Sequence, residues 1–506
     1  MAAFLRQDRA VISVGRVMTC VLGMVVSRER EIRSFVKTPF YRVIAAAEKD
    51  GAGCEAEWRV QEQSRYAGTP HLYKENGFTK REDAEELIRL LQAPQEGDLP
   101  GEAGTVPTLT VESVEKKKEK KNPPLLFNLA ELQNTCSRRF KISPDQTLQI
   151  VQELYERKLV TYPRTDARVL STAVAKEIDK NIRGLKNYGP MADFADDVLA
   201  RGTYKGIAKT RYVNDKQITD HYAIIPTGQG FGALKGLSRL QADVYDVIAR
   251  RFLSIFFDAA EYSKVGYVFT RPSDAAHTER FYASFKALVK EGYLAVAGRT
   301  EAPKDEDGET EMTGKAPEWK KGEKVPVESF TVKEGETSPP KRYNSGSLIL
   351  AMENAGQLIE DEELREQIKG SGIGTSATRA EILKKLVSNG YLALNAKTQI
   401  ITPTLLGEMI RDVVYVSMRQ MLNPELTASW EKGLSYVQEG TVTPEEYRQK
   451  LDAFVRRRTD SVKTGSAPSA LRPQFEAVKA FYPQAGGGKT GRSSGRNYRK
   501  KTDVSS

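Results

Sequence analysis

Lys158-Leu159-Val160-Thr161-Tyr162-Pro163-Arg164-Thr165-Asp166 places a phenol, a guanidinium and a carboxylate within five positions of one another. Upstream, Ser143 and Pro144 carry N-cap and first-turn signals, and Leu148, Val151, Leu154 and Tyr155 recur at helical spacing, which predicts a helix leading into this loop. The β-rich Leu159-Val160-Thr161 comes next. Pro163 can neither donate to a ladder nor continue a helix, so Tyr162 is expected at the end of a short strand, facing a cleft. Arg164, two residues on, shares its side of an extended chain. A phenol beside an always-charged guanidinium suits attack on a phosphodiester, with the arginine on the non-bridging oxygens. Spacing alone does not single Tyr162 out, because the chain has 21 tyrosines and most tyrosines only pack or hydrogen-bond.

Four further blocks accompany the loop in order: Ser13-Val14-Gly15-Arg16-Val17, His221-Tyr222-Ala223-Ile224-Ile225-Pro226-Thr227, Gly372-Ile373-Gly374-Thr375-Ser376-Ala377-Thr378-Arg379-Ala380 and Thr427-Ala428-Ser429-Trp430-Glu431. With Tyr-Pro-Arg-Thr-Asp, this set resembles the type IA DNA topoisomerases, most closely the topoisomerase III branch. The resemblance implies an α+β multidomain toroid, with helical domains joined by a β-rich arch. It divides the chain into 1–36, the first part of a helical DNA-groove domain; 37–124, the first part of the arch; 125–258, the helical domain with the nucleophile; 259–340, the second part of the arch; 341–458, the second part of the groove domain; and 459–506, a basic tail.

The same resemblance implies the chemistry. Tyr162 would attack one strand of DNA, leaving a 5′-phosphotyrosyl link and a free 3′-hydroxyl. Arg164 would stabilise the charge on phosphorus, with Asp166 orienting it, and His221 would stand near the scissile phosphate. Gly15 and Arg16 on one side, and Thr375, Ser376, Thr378 and Arg379 on the other, would hold the strand. Met18 and Cys20 stand where the family commonly has glutamine and proline. No ATP is needed, since transesterification keeps the bond energy in the covalent link. Family members begin with a toprim domain that supplies a glutamate acid and Asp-x-Asp ligands for magnesium, and this sequence is expected to begin after it. The implied partners are single-stranded or negatively supercoiled DNA, and a separate toprim polypeptide or a helicase. A noncatalytic single-strand clamp is the alternative, and a covalent adduct separates the two. A tyrosine relaxase is disfavoured because His71, His221 and His277 form no cluster.

Composition sets the frame. At 506 residues several structural units are expected, and 39% hydrophobic with 28% charged residues fits a globular protein. No apolar run is long enough to span a bilayer and no signal peptide opens the chain, so a cytoplasmic location is expected. Cys20, Cys54 and Cys136 are too scattered for a disulfide framework or a zinc ribbon. The net charge of +10 suggests a polyanion partner, yet residues 453–506 carry twelve Lys or Arg against three acids, so the excess lies almost wholly in the tail.

In chain order, residues 13–35 read as one helix, and residues 37–124 read as strands, with a loop at 93–105 and a solvated charged segment at 115–121. Asn128 opens a helix, and residues 239–257 form another with Leu240, Val244, Val247 and Ile248 on one face. Strand signals return near 265, 281 and 327. Asp305-Glu306-Asp307 lies in a polar loop and is not read as a metal site, because paired ligands need a rigid element. The block at 372–380 reads as a Gly-rich turn feeding a helix, able to hold phosphate at the helix N-terminus. The Gly- and Ser-rich basic tail, with Tyr498, reads as a nonspecific nucleic-acid arm.

Overall fold

The computed structural model describes residues 13–101, 104–298, 310–311, 316–359, 362, 365, 372–464 and 468–482. Asp305-Glu306-Asp307, Tyr498 and the end of the basic tail lie outside them.

Six long strands pair in a ring: β1 (Pro39–Lys49), β2 (Ala52–Arg59), β3 (Thr108–Lys121), β4 (Ala260–Pro272), β5 (Thr278–Lys290) and β6 (Lys324–Glu336). β1 pairs β2 and β6, β2 reaches β5, β5 pairs β4, β4 pairs β3, and β3 returns to β6, all antiparallel. Closure of this kind satisfies strand edges that would otherwise be open to another chain. Alternation sets the buried face: Trp58, Phe281 and Phe269 are cross-strand neighbours in register and fully buried.

Two expectations for this part need correction. The charged run at 115–121 keeps its side chains largely exposed, as expected of a solvated segment, but it is the second half of β3, with Lys116 opposite Val265 and Lys121 opposite Ala260. Charge does not prevent the ladder, because β4 satisfies the backbone while the side chains pair across strands, as in Lys120–Glu261 at 3.1 Å and Lys286–Glu119 at 2.9 Å. Residues 81–92 are a helix, with Ala84, Leu87 and Leu91 buried on one face. The loop at 93–105 contains a short hairpin, Leu99–Gly101 with Gly104–Val106.

Most of the helices named here begin at a side-chain cap. α1 (Arg16–Ser34) starts at Arg16 rather than Ser13, because Gly15 is extended and the Ser13 amide donates to the Tyr391 hydroxyl at 3.0 Å. α2 (Leu129–Phe140) is capped by Asn128, whose side chain accepts from the Glu131 amide. α3 (Pro144–Glu156) and α4 (Arg239–Ser254) each open with a full capping box, Ser143/Gln146 and Ser238/Gln241. α5 (Ser345–Glu353), α6 (Arg379–Ser388), α7 (Leu405–Met418) and α8 (Pro424–Gln438) complete the set used below.

Three large cores result. One holds Phe127, Val151, Leu154, Leu159 and α4; a second fills the strand ring; a third gathers α1, α5, α6 and α7 around Leu22, Val26, Ile349 and Leu386. The first and third meet where α2 packs on α5. The Ser137 and Ser345 hydroxyls lie 3.0 Å apart there, and a Cβ on Gly346 would come within 2.6 Å of the Asn134 Cα.

Candidate active site

The stretch expected to be a three-residue strand contributes only one bridge, Val160 to Pro226. Thr161 supplements it. Its amide donates to the Ile225 carbonyl at 3.0 Å, and its hydroxyl donates to the Ala223 carbonyl and accepts from the Ile225 amide, both at 3.0 Å. The partner of the tyrosine loop is therefore the 221–227 block. Thr165 adds a second tie, its hydroxyl donating to the His221 carbonyl at 2.7 Å while its own carbonyl accepts from the Leu129 amide. Pairing thus brings together two blocks that are 59 residues apart in the chain, counting from Tyr162 to His221.

The Tyr162 ring lies against the His221 imidazole, with centroids 4.4 Å apart and planes at 46°, and meets the edge of Tyr155 at 5.5 Å. These rings line an open cleft of about 490 Å³, together with Glu156, Lys158, Tyr222 and Gln229. Tyr162 is half-buried, while His221 and Arg164 are exposed. Among the described residues, nothing hydrogen-bonds the Tyr162 hydroxyl, the His221 ring or the Arg164 guanidinium. The Tyr162 ring is thus held by packing while its hydroxyl is left unengaged. Glu156, a cleft carboxylate that accepts from the Gln152 amide nitrogen at 3.2 Å, was not singled out in the sequence. Its only signal is its place at the end of the helix leading to the loop.

Asp166 does not orient Arg164. Its Oδ1 accepts from Arg379 Nη1 at 2.8 Å, and the Arg379 side chain is 1% exposed. Arg379 is correspondingly not presented to a strand in this structure. It is the first residue of α6, and its guanidinium turns inward because Asp166 and the Ile373 carbonyl satisfy it there. Thr375 and Thr378 are exposed, with hydroxyls 3.1 Å apart, whereas Ser376 is buried and, like Arg379, is not presented to a strand.

A family model described as DNA topoisomerase matches residues 2–449. The chain belongs to the DNA topoisomerase family. Among curated proteins this topoisomerase chain is similar to DNA topoisomerase 3 of Bacillus subtilis, 31% identical over 463 residues that cover 90% of this chain and 57% of that protein. It is similar also to DNA topoisomerase 3 of Shouchella clausii, 30% identical over 469 residues, covering 92% and 58%. The chain thus spans less than two thirds of the length of these relatives. Among solved structures it resembles full-length topoisomerase I from Thermotoga maritima, with a TM-score of 0.59 and 24% identity over 90% of this chain and 63% of that one, a likeness of fold.

In this topoisomerase chain Gly15 and Arg16 stand at the start of α1. A Cβ on Gly15 would meet nothing within 4 Å, so the fold itself does not require glycine there. Arg16 Nη2 pairs with Glu431 Oε1 at 2.7 Å, and both side chains are more than a third exposed, so the pair is open to exchange for a phosphate. Further along, α1 borders a cleft of about 990 Å³ whose lining includes Met24, Arg28, Arg411, Tyr415, Arg419 and Arg458. Tyr415 is exposed, with Arg411 and Arg419 over its ring at 4.6 and 5.1 Å. This stretch of the cleft is therefore cationic, with an aromatic ring among its basic groups.

For magnesium the residues do not fit. Among the described residues no three His, Cys, Asp or Glu side chains gather closely enough to hold a metal ion, and Asp166 is already engaged by Arg379. No described helix is long and apolar enough to cross a membrane.

Proposed function

We propose that this chain holds single-stranded DNA along α1 and the turn before α6, and that Tyr162 cleaves and rejoins it. The Tyr162 oxygen attacks phosphorus, an O–P bond forms, the bond to the 3′-oxygen breaks, the phenol proton leaves and the 3′-oxygen takes one up. A 5′-phosphotyrosyl link holds the end while another strand passes, and reversal restores the backbone without ATP. Exposed Arg164 is the group available to the phosphorane charge, and the His221 imidazole is placed for phosphate contact. The observation that carries this reading is the Tyr162 ring supported by His221 and Tyr155, with its hydroxyl open to the cleft.

A departing 3′-alkoxide needs an acid. Asp166 is committed to Arg379, Glu156 in the cleft accepts from Gln152, and the resemblance assigns that acid to a toprim domain. We therefore propose that residues 1–506 alone bind single strands without relaxing negatively supercoiled plasmid, and that a supplied toprim domain restores relaxation. The test is a covalent adduct with labelled single-stranded DNA in the presence of a toprim domain, formed by the parent and absent from Tyr162→Phe, whose strand binding is unchanged. Adduct persisting in Tyr162→Phe removes the tyrosine from the reaction. Binding with no adduct from either protein identifies a clamp instead.

A further inference from the structure

Arg379 follows Thr378 directly, yet its side chain reaches into another part of the molecule. Nη1 donates to Asp166 Oδ1 at 2.8 Å, Nε donates to the Ile373 carbonyl at 3.4 Å, and Nη1 stands 4.0 Å from Glu353 Oε1. Asp166 is held from a second direction. Its carbonyl accepts from Asn128 Nδ2 at 3.1 Å, and the same nitrogen donates to Glu353 Oε1 at 2.6 Å. The cap of α2, the end of α5 and the start of α6 thus converge on the residue that ends the tyrosine loop. A planar guanidinium can serve a carboxylate and a carbonyl at once, which an ammonium on a flexible stem does less well.

We propose that Arg379 is a positioning residue: a strut that couples the exposed threonine turn before α6 to the loop carrying Tyr162, acting through Asp166. A phosphate seated on Thr375 and Thr378 would then steady the nucleophile loop from outside the cleft, and loss of the pair would free that loop from the α6 side. The direction of the side chains supports this division of labour. Thr375 and Thr378 lie on the exposed side of the turn, where the Thr378 hydroxyl also accepts from the Thr375 amide, and the adjacent charge points inward, enclosed and paired. The coupling to DNA rests on the proposed function above; the mechanical link between α6 and the loop does not.

Amide hydrogen exchange of residues 158–167 in the whole chain, free and with a short oligothymidylate, tests both parts. Arg379→Gln and Asp166→Asn are each expected to speed exchange of this segment roughly tenfold in the free chain, because a local opening loses its closing contact. In the parent the oligonucleotide slows that exchange further; in both variants the added protection is lost, while affinity changes less than about twofold, since no phosphate contact is removed. Thr375→Val is expected to lose the added protection and keep the free-chain rate. Unchanged exchange in both Arg379→Gln and Asp166→Asn overturns the strut. So does a drop of about 0.7 in the log–log salt slope of binding for Arg379→Gln, the signature of one lost phosphate contact. An oligonucleotide that fails to bind the parent sinks the proposed function but leaves the free-chain comparison to decide the strut. If Arg379→Gln does not fold, the near-isosteric Asp166→Asn decides.

Discussion

Tyr162 and His221 lie ring against ring at a tilt, 4.4 Å between ring centroids, because a threonine on each side of Pro163 is bonded to the segment that carries the histidine. The imidazole is thus a wall of the nucleophile's site as well as a candidate phosphate contact. His221→Ala should lower the single-turnover rate of adduct formation about a hundredfold, the scale on which small misplacements of a reacting group act. His221→Phe restores the wall without a polar atom, so its rate separates the roles. A rate equal to the parent's would leave packing as the only function of this residue.

Gly15 tests the groove without disturbing the fold. Its backbone is extended and a Cβ there meets nothing, so Gly15→Ala should leave the melting temperature essentially unchanged. If a strand passes close to this backbone, affinity for single-stranded DNA should fall by several-fold, measured by fluorescence anisotropy at fixed salt. Unaltered affinity would place the strand elsewhere.

Gly346 tests the seam between α2 and α5. Alanine is favoured over glycine in a helix by about 1 kcal/mol, but here its methyl would sit 2.6 Å from the Asn134 Cα, a backbone atom that cannot rotate away. Overpacking of this kind typically costs about 1–3 kcal/mol, so the net effect should be destabilising. Chemical denaturation should show a lower midpoint for Gly346→Ala, and exchange protection should be lost first along residues 129–140.

Glu353 sets a pH dependence. Burial raises its carboxyl above the ordinary range, the Arg379 charge opposes this, and the Asp166 charge adds to it. The folded chain therefore holds this proton more tightly than the unfolded chain does. The stability so contributed is present below the unfolded value of about 4.3 and is lost as pH rises through the raised folded value. Glu353→Gln stays neutral and can still accept from Asn128. It should melt at a higher temperature than the parent near pH 8 and at about the same temperature near pH 4. A lower melting temperature at pH 8 would mean that Arg379 depends on the Glu353 charge.

Much of this molecule was legible locally. Ser143 with Pro144, and Asn128, announced their helices, because capping is settled within four residues. Tyr162 and His221, which the fold brings into ring contact, were each legible in the ordered blocks of the sequence. The turn before α6 was legible through its glycines, both of which have positive φ.

What tertiary structure alone decided is partnership. The run at 115–121 reads as a solvated linker because charge dominates its composition, and it becomes strand only because β4 lies alongside to satisfy its backbone. Conversely, Leu159-Val160-Thr161 has strand composition but finds only a bridge and side-chain bonds. Asp166 and Arg379 show the same limit in the site. Each sits in its own block with a nearer apparent role, orienting Arg164 or binding phosphate, and nothing in either block encodes the other. Their pairing follows from the docking of α6 beside the tyrosine loop, where a guanidinium 1% exposed must be satisfied, and Asp166 is the carboxylate within hydrogen-bond reach.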